Sequence, residues 1–525
     1  MNKKSFYFGT LVLTALALGS CANEDTATDK TAGKDTPKTG TVFSSETEPA
    51  TRTSAKYTGS GLDFYWTASD KIWVKDDNGN YNQSASDDIS SRIAAVPGST
   101  TTDKAKFWVN GSYTGSTHKV RYTGKSGVKD KVTIKASQAQ NTPNDAAHIA
   151  DDGDFGVADA SGGPGAYNFT LNHKAAYVTF MPYNVNGVIP GAKIQKIRVY
   201  TSNATDQLAG TFDLADNGTL SNGASTSNSV ELNVNDFTLP SAYSYTTNGA
   251  TMVLNPGTYS NVTIEYTLHD AVTNVTGVIE KTYPSVTFDA GKNTPVRADL
   301  NIKIYSGSNY YMWDAPAQYW FGYEWTRHLP GNTGQPTLND NSSPNYAQNN
   351  GNIRWYNDGG GSGRFDATQS CASLPNANEM SWYAVYGDPR WDADGLWTTM
   401  GHLYKGGMWF KKKSVLIAEG KYDTEISADN TTDLRTTHKT YSNTSSSINS
   451  GVPSDADLSN YFYLPALGVY IFGQLYWVGS VCFYWTSSSD PRPGDYHAYS
   501  LDITNNSVNI AYGVRTNGQR IGVFE

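Results

Sequence analysis

Val262-Thr263-Ile264-Glu265-Tyr266-Thr267-Leu268 alternates apolar and polar side chains without a break. A period of two marks a pleated strand with one face on a core and the other toward solvent. Related runs occur on both sides: Lys71-Ile72-Trp73-Val74, Phe107-Trp108-Val109, Ala176–Phe180, Ile194–Tyr200 and Val296–Ile302. Between them stand Asp76-Asp77-Asn78-Gly79-Asn80 and Ala160-Ser161-Gly162-Gly163-Pro164-Gly165, the residue types that supply positive φ and tight turns. Residues 55–303 therefore read as β throughout, and the cluster at 161–165 as a seam between two sandwiches.

The whole chain fits that reading. Its 525 residues exceed one small domain. Charged residues are only 17 % and Tyr reaches 35, so neutral polar groups and aromatics that suit strands cover the surface. A net charge of −9 with no basic stripe argues against nucleic acid. No Leu-rich heptads recur, and the one long apolar run lies at the start, which argues against coiled coils and a polytopic helical membrane protein.

That start, MNKKSFYFGTLVLTALALGSC, has Lys3 and Lys4 before an apolar run from Phe6 to Leu18, the layout of a secretion signal over residues 1–20. Leu18-Gly19-Ser20-Cys21 resembles a bacterial lipobox. The resemblance implies cleavage before Cys21, acylation of that residue and an outer-membrane anchor; several acyl chains make a stable one. Glu24 and Asp25 resemble the surface-export signal of Bacteroidetes lipoproteins. Residues 21–50 hold almost no large apolar group and are expected to form a flexible tether. In an exported chain the remaining cysteines, Cys371 and Cys482, are expected to form one disulfide, the alternative being two buried thiols.

Ten of the thirteen tryptophans follow residue 303, which sets a boundary near Lys303–Gly307. Thr51-Arg52-Thr53 with Phe64–Ile72, then Phe169–Phe180, then Thr287–Lys292 with the run to Ile302, resemble the Bacteroidales fimbrillin-like proteins in order and spacing. The resemblance implies two tandem transthyretin-like β-sandwiches, 51–165 and 166–303. It further implies a protease cut near the start of the first, where Arg52 stands and Lys56 is the alternative, and assembly with other fimbrial subunits by strand addition.

Residues 304–525 are aromatic and Gly-rich. Leu374-Pro375-Asn376-Ala377-Asn378-Glu379 opens a helix with Asn376 as its cap, and Met380, Tyr383 and Ala384 share one face. Lys405–Ile417 reads as a strand pair around Gly406-Gly407, and 427–458 as a loop or insertion. Tyr484-Trp485-Thr486-Ser487 and Arg515-Thr516-Asn517-Gly518-Gln519-Arg520-Ile521-Gly522, with that helix, resemble the C-type-lectin-like major paralogous domain of Fibrobacter and Bacteroidetes surface proteins. The fold class expected is mainly β: two sandwiches followed by a mixed α+β C-type-lectin-like domain.

A ligand surface is placed after the Trp485 strand, on Ser488, Ser489, Asp490, Arg492, Asp495, Tyr496, His497, Tyr499, Asn505, Asn506, Asn509 and Tyr512. Tyr and Arg give broad contact, while Asn and Ser give adaptable hydrogen bonds. Trp391, Trp397 and Trp409 read as core. Asp388, Asp392 and Asp394 read as a solvated acidic loop, and neither metal nor cofactor is expected. No Gly-x-Ser-x-Gly, Walker A or zinc-protease pattern occurs, so catalysis is not expected. These readings point to a surface-exposed outer-membrane lipoprotein and fimbrial tip or accessory subunit, an adhesin whose terminal domain takes a glycan or protein ligand. The alternative is a non-polymerising surface lipoprotein that captures the same ligands.

Overall fold

The computed structural model describes residues 38–45, 54–125, 127–324, 342–444, 447–494, 496–522 and 524. Gly40–Glu525 is one compact unit. It is mainly β, as the alternating runs require.

Seven strands of the first region close on themselves. They are β1 (Thr41–Ser45), β2 (Trp73–Lys75), β3 (Tyr81–Asp87), β4 (Ala105–Val109), β5 (Thr117–Tyr122), β6 (Gly156–Gly163) and β7 (Ala166–Asn168). The order runs β7-β1-β4-β3-β2-β5-β6, and β6 pairs back to β7. The enclosed core holds Phe43, Trp66, Phe107, Tyr122 and Phe169. Two sequence expectations change here. The stretch assigned to a tether contains β1, because Val42 and Phe43 suffice for a short strand and Phe43 is fully buried. The Gly/Pro cluster at 161–165 is a hairpin rather than a seam: Gly163 pairs with Ala166 across Pro164-Gly165, and Gly165 takes φ +100°, which favours glycine.

The second region carries a five-stranded sheet of Ser137–Gln140, Ser229–Thr238, Ala192–Thr201, Gly257–Asp270 and Val275–Phe288, in that spatial order. Facing strands include Ala176–Phe180, Ala209–Leu214 and Ala250–Leu254. Val262, Ile264, Tyr266 and Leu268 all point into the core, as their alternation demands. Strand Ala192–Thr201 has a bulge between Ile194 and Lys196, where two polar residues stand in succession. The extra residue restores the inward phase, so Ile197 and Val199 are buried. Lys131–Ile134 pairs with Ala209–Leu214 and Ser137–Gln140 with Ser229–Thr238, so residues before 165 complete the second region's sheets. Asp216 ties the regions together: its carboxylate meets Lys75 at 2.9 Å, the Tyr81 hydroxyl at 2.7 Å and the Arg121 guanidinium.

The last region is mixed α+β. A sheet of Lys303–Tyr305, Arg390–Thr399, His402–Lys411 and Tyr461–Pro465 stands beside a six-stranded sheet built on Val481–Ser489, His497–Thr504 and Ser507–Val514. Its first short strand, Tyr310–Tyr311, pairs with Gln519–Arg520 near the end of the chain. The helix Ala377–Tyr386 starts with the expected cap: Asn376 Oδ1 accepts from Glu379 N at 3.0 Å, and Asn376 N donates to Glu379 Oε2 at 2.8 Å. Met380, Tyr383 and Ala384 are fully buried. Lys405–Ile417 is not a strand pair. Gly406-Gly407 lies inside one strand, and a helix, Lys413–Ala418, follows. The region is bolted to its predecessor by fully buried Asp270, whose carboxylate accepts from Leu403 N at 3.0 Å and contacts His402 Nδ1 at 2.9 Å.

Cys371 and Cys482 are both buried and free, and they pack in different apolar clusters. The expected disulfide is therefore corrected to two separate thiols. Burial pushes the Cys371 thiol up to about 12 and raises that of Cys482 as well, so neither supplies a thiolate nucleophile.

Candidate functional sites: a strand slot and a terminal cleft

Strand β1 lies between β4 and β7. It pairs antiparallel with β4 from Thr41↔Val109 to Ser45↔Ala105, and parallel with β7 from Val42↔Ala166 to Ser44↔Asn168. Val42 N donates to Gly165 O at 3.1 Å and Phe169 N to Ser44 O at 2.9 Å. The Phe43 ring stacks on Tyr167 with centroids 5.1 Å apart and meets Tyr113 edge-on at 5.1 Å. Ser45 Oγ accepts from Trp66 Nε1 at 3.3 Å. Gly40 permits the close approach before the strand: it takes φ +120°, and a Cβ there would lie 2.8 Å from Val109 O. Burial of a Phe side chain contributes roughly 1.5–3 kcal/mol.

Without β1, β4 and β7 would each face an unpaired row of backbone groups around an apolar hole. Every residue of this strand precedes Arg52 in the chain. Arg52 lies outside the described residues, as do Cys21 and Asp495. Lys56, the other basic position, is exposed within the strand Ser54–Tyr57 and stands opposite Asp63 in the strand register. The sequence reading missed Phe43; the only local signal is the pair Val42-Phe43 in a polar stretch.

The residues assigned to the ligand surface divide. Ser488, Ser489 and Tyr499 are buried. Ser488 Oγ accepts from Ala377 N at 3.1 Å, and Tyr499 OH accepts from Lys439 N at 3.1 Å. The reason is a bulge between Trp485 and Ser489, which turns this run inward beneath the capped helix. Asn505 and Asn506 form the exposed turn at the far end of the hairpin, and Asn509 accepts from Ser442 Oγ at 2.7 Å.

Asp490, Arg492, His497 and Tyr512 converge on an open cleft of about 520 Å³. Tyr496, 63 % exposed, follows the loop beside it. Arg492 donates to Asp490 Oδ2 through Nε at 2.9 Å and Nη2 at 2.5 Å, and its Cζ lies 4.1 Å from the Tyr512 ring centre. Burial raises the Asp490 carboxyl, but the hydrogen bonds from Arg492 and nearby His438 outweigh it and hold the group below the usual range. Burial lowers His497. His438, 3.1 Å from Asp490 Oδ1, was not anticipated; it sits 52 residues away in sequence and carries no local signal. The guanidinium here is already neutralised, so the cleft offers a flat stacked surface and spare N–H donors.

Asp388, Asp392 and Asp394 diverge. Asp388 accepts from Tyr461 and Arg390, Asp392 from backbone N–H groups and Trp409, and Asp394 faces Lys405. Among the described residues no three ligating side chains gather as a metal site. Nor is any described helix long and apolar enough to cross a membrane.

No protein-family model matches the chain, and no curated protein matches it in sequence. Solved structures give weak likenesses. A candidate cell adhesion protein of Bacteroides ovatus is 16 % identical over 46 % of this chain and 86 % of its own, with a TM-score of 0.29. One from Bacteroides fragilis is 11 % identical over 49 % of this chain and 92 % of its own, at 0.28. A fimbrial protein of Bacteroides ovatus is 11 % identical over 92 % of this chain and 99 % of its own, at 0.25. Likeness at this level carries no statement about function.

Proposed function

We propose that this chain is a fimbrial subunit and adhesin, assembled by strand exchange after a cut at Arg52, with its terminal region as the ligand-binding head. The observation that carries the reading is β1: this strand closes the first ring, and all of it lies upstream of Arg52. A cut there severs β1 from the body. Departure of β1 opens the edges of β4 and β7 and uncovers Tyr167 and Tyr113. A strand from another subunit that supplies an aromatic side chain satisfies both. Cys21 anchors the precursor to the outer membrane, on the cell surface.

Tip or accessory position follows from bulk. Residues 304–525 succeed the second region and are fixed to it through Asp270, so they obstruct head-to-tail stacking but suit a subunit with nothing beyond it. The cleft of Arg492 and Tyr512 takes a neutral polar ligand, a glycan or a protein loop, because its charge is internally paired. The chain performs no catalysis in this reading.

Limited digestion of the full chain with a trypsin-like protease tests it. The expected product starts at Thr53 and, mixed with fimbrial partner subunits, enters complexes visible by size exclusion and negative-stain microscopy, while Arg52→Ala stays out of them. A cut chain that remains monomeric in the presence of fimbrial partners overturns assembly and favours a non-polymerising surface lipoprotein.

A further inference from the structure

Among the described residues the terminal region buries four arginines: Arg354, Arg435, Arg515 and Arg520. Three of them each make at least three donations to oxygen. Arg354 donates to Asn352 Oδ1, Tyr319 O and Asn345 O. Arg435 meets both oxygens of Asp433 and a carboxylate oxygen of Glu425. Arg515 donates to the carbonyls of His497, Asn357 and Gly359.

Arg520 differs. It is 5 % exposed, yet the one oxygen its side chain meets among the described residues is Ser306 O, at 2.7 Å from Nη1. Its Nε is buried without a partner, and no described carboxylate pairs with it. The remaining support is the face of Tyr310, 4.9 Å from Cζ. A buried, unpaired guanidinium is costly unless an anion joins it.

Arg520 also lines a cleft of about 470 Å³, which shares no lining residue with the Asp490 cleft, between the strand Tyr461–Pro465 and the segments around Tyr305 and Ser370. Tyr305, Tyr463 and Tyr484 form its aromatic walls, and Ser370 and Ser373 stand at its margin. Burial raises the hydroxyl pKa of Tyr305, and Arg520 is the charged group that opposes the shift. The size is that of a small-ligand site. The components divide by chemistry: a fork of N–H donors for a planar anion, aromatic faces for the C–H face of a ring, and hydroxyls for hydroxyls.

We propose that the Arg520 cleft binds a carboxylate-bearing sugar, one ring in size, with the carboxylate on the Arg520 fork and the ring against the tyrosines. This site is separate from the Arg492 cleft and does not depend on assembly into fibres.

Titration calorimetry on the full chain tests it with four probes: D-glucuronate, N-acetylneuraminate, D-glucose and acetate. At least one acidic sugar is expected to bind saturably and about tenfold or more tighter than glucose or acetate. Arg520→Gln should remove that preference. Because Arg520 is buried, Ser373→Trp provides a second variant at an exposed position; it fills the mouth and should abolish binding while the thermal midpoint stays put. Lys129→Ala, an exposed position in the first region outside both clefts, should leave acidic-sugar affinity unchanged. Equal affinity for glucose and both acids, acetate binding as tightly as the sugars, or undiminished binding by Ser373→Trp would each overturn the proposal.

Discussion

Phe43 and Tyr512 are aromatic residues on strands near the two ends of the described chain, one fully buried and the other 41 % exposed. Around Phe43 the proposed recognition surface is backbone: two strand edges and an apolar hole, satisfied by a strand of the right register. Around Tyr512 it is side chain: an arginine stacked on the ring, a carboxylate behind it and open solvent in front. A backbone slot demands little of sequence beyond one large apolar residue, which suits exchange between related subunits. A side-chain cleft is specific in chemistry but contributes little to the fold. The two should therefore respond oppositely to mutation.

The largest difference is expected from Phe43→Ala. Removing a fully buried aromatic should destabilise the first ring by about 3–5 kcal/mol, read from urea unfolding of the intact chain. After cleavage the same variant should lose its leading strand faster than the wild type. A change below about 1 kcal/mol would mean that β1 is not held by its side chain.

Next in size is the clamp between the first two regions. Burial raises the Asp216 carboxyl, but hydrogen bonds from Lys75, Tyr81 and Arg121 outweigh this and lower it to about 2. The folded value lies below the unfolded one, so the stabilisation is complete above about pH 4 and is lost as pH falls toward 2. Asp216 is partly exposed, so screening limits the effect; Asp216→Asn should cost about 1 kcal/mol at neutral pH and flatten the acid limb of the stability profile. An unchanged acid limb would remove the clamp from the account.

Smaller still is the response to reductant. Dithiothreitol should leave the thermal midpoint unmoved, because Cys371 and Cys482 are unbridged. A loss corresponding to roughly 2–4 kcal/mol would reveal a disulfide. Smallest is Tyr512→Ala, expected to change stability by less than about 0.5 kcal/mol while weakening ligand capture by the head. A large stability loss would make Tyr512 a structural residue and dissolve the contrast with Phe43.

Local signals were legible in the sequence. The unbroken alternation of Val262–Leu268 became a strand with its apolar members inward, and Asn376 with Glu379 became a reciprocal cap. Both depend on residues within a turn or a strand of one another. What was missed depends on distant partners. Thr41–Ser45 becomes a strand only because β4 and β7 leave a gap for it. Lys131–Ile134 joins the second region because Ala209–Leu214 offers an edge. Ser488 and Ser489 looked like surface polar residues, yet the bulge after Trp485 turns them under the helix. Of the twelve positions read as a ligand surface, Asp490, Arg492, His497 and Tyr512 line one cleft, where His438 arrives from another segment.

Hydrogen–deuterium exchange of the amides in Ala105–Val109 and Ala166–Asn168, before and after cleavage at Arg52, tests the strand-slot claim most directly. The account predicts strong protection in the intact chain, loss of protection in the cut monomer once the leading strand leaves, and recovery on assembly. Protection that stays the same in all three states would contradict it, because β4 and β7 would then owe nothing to the strand between them.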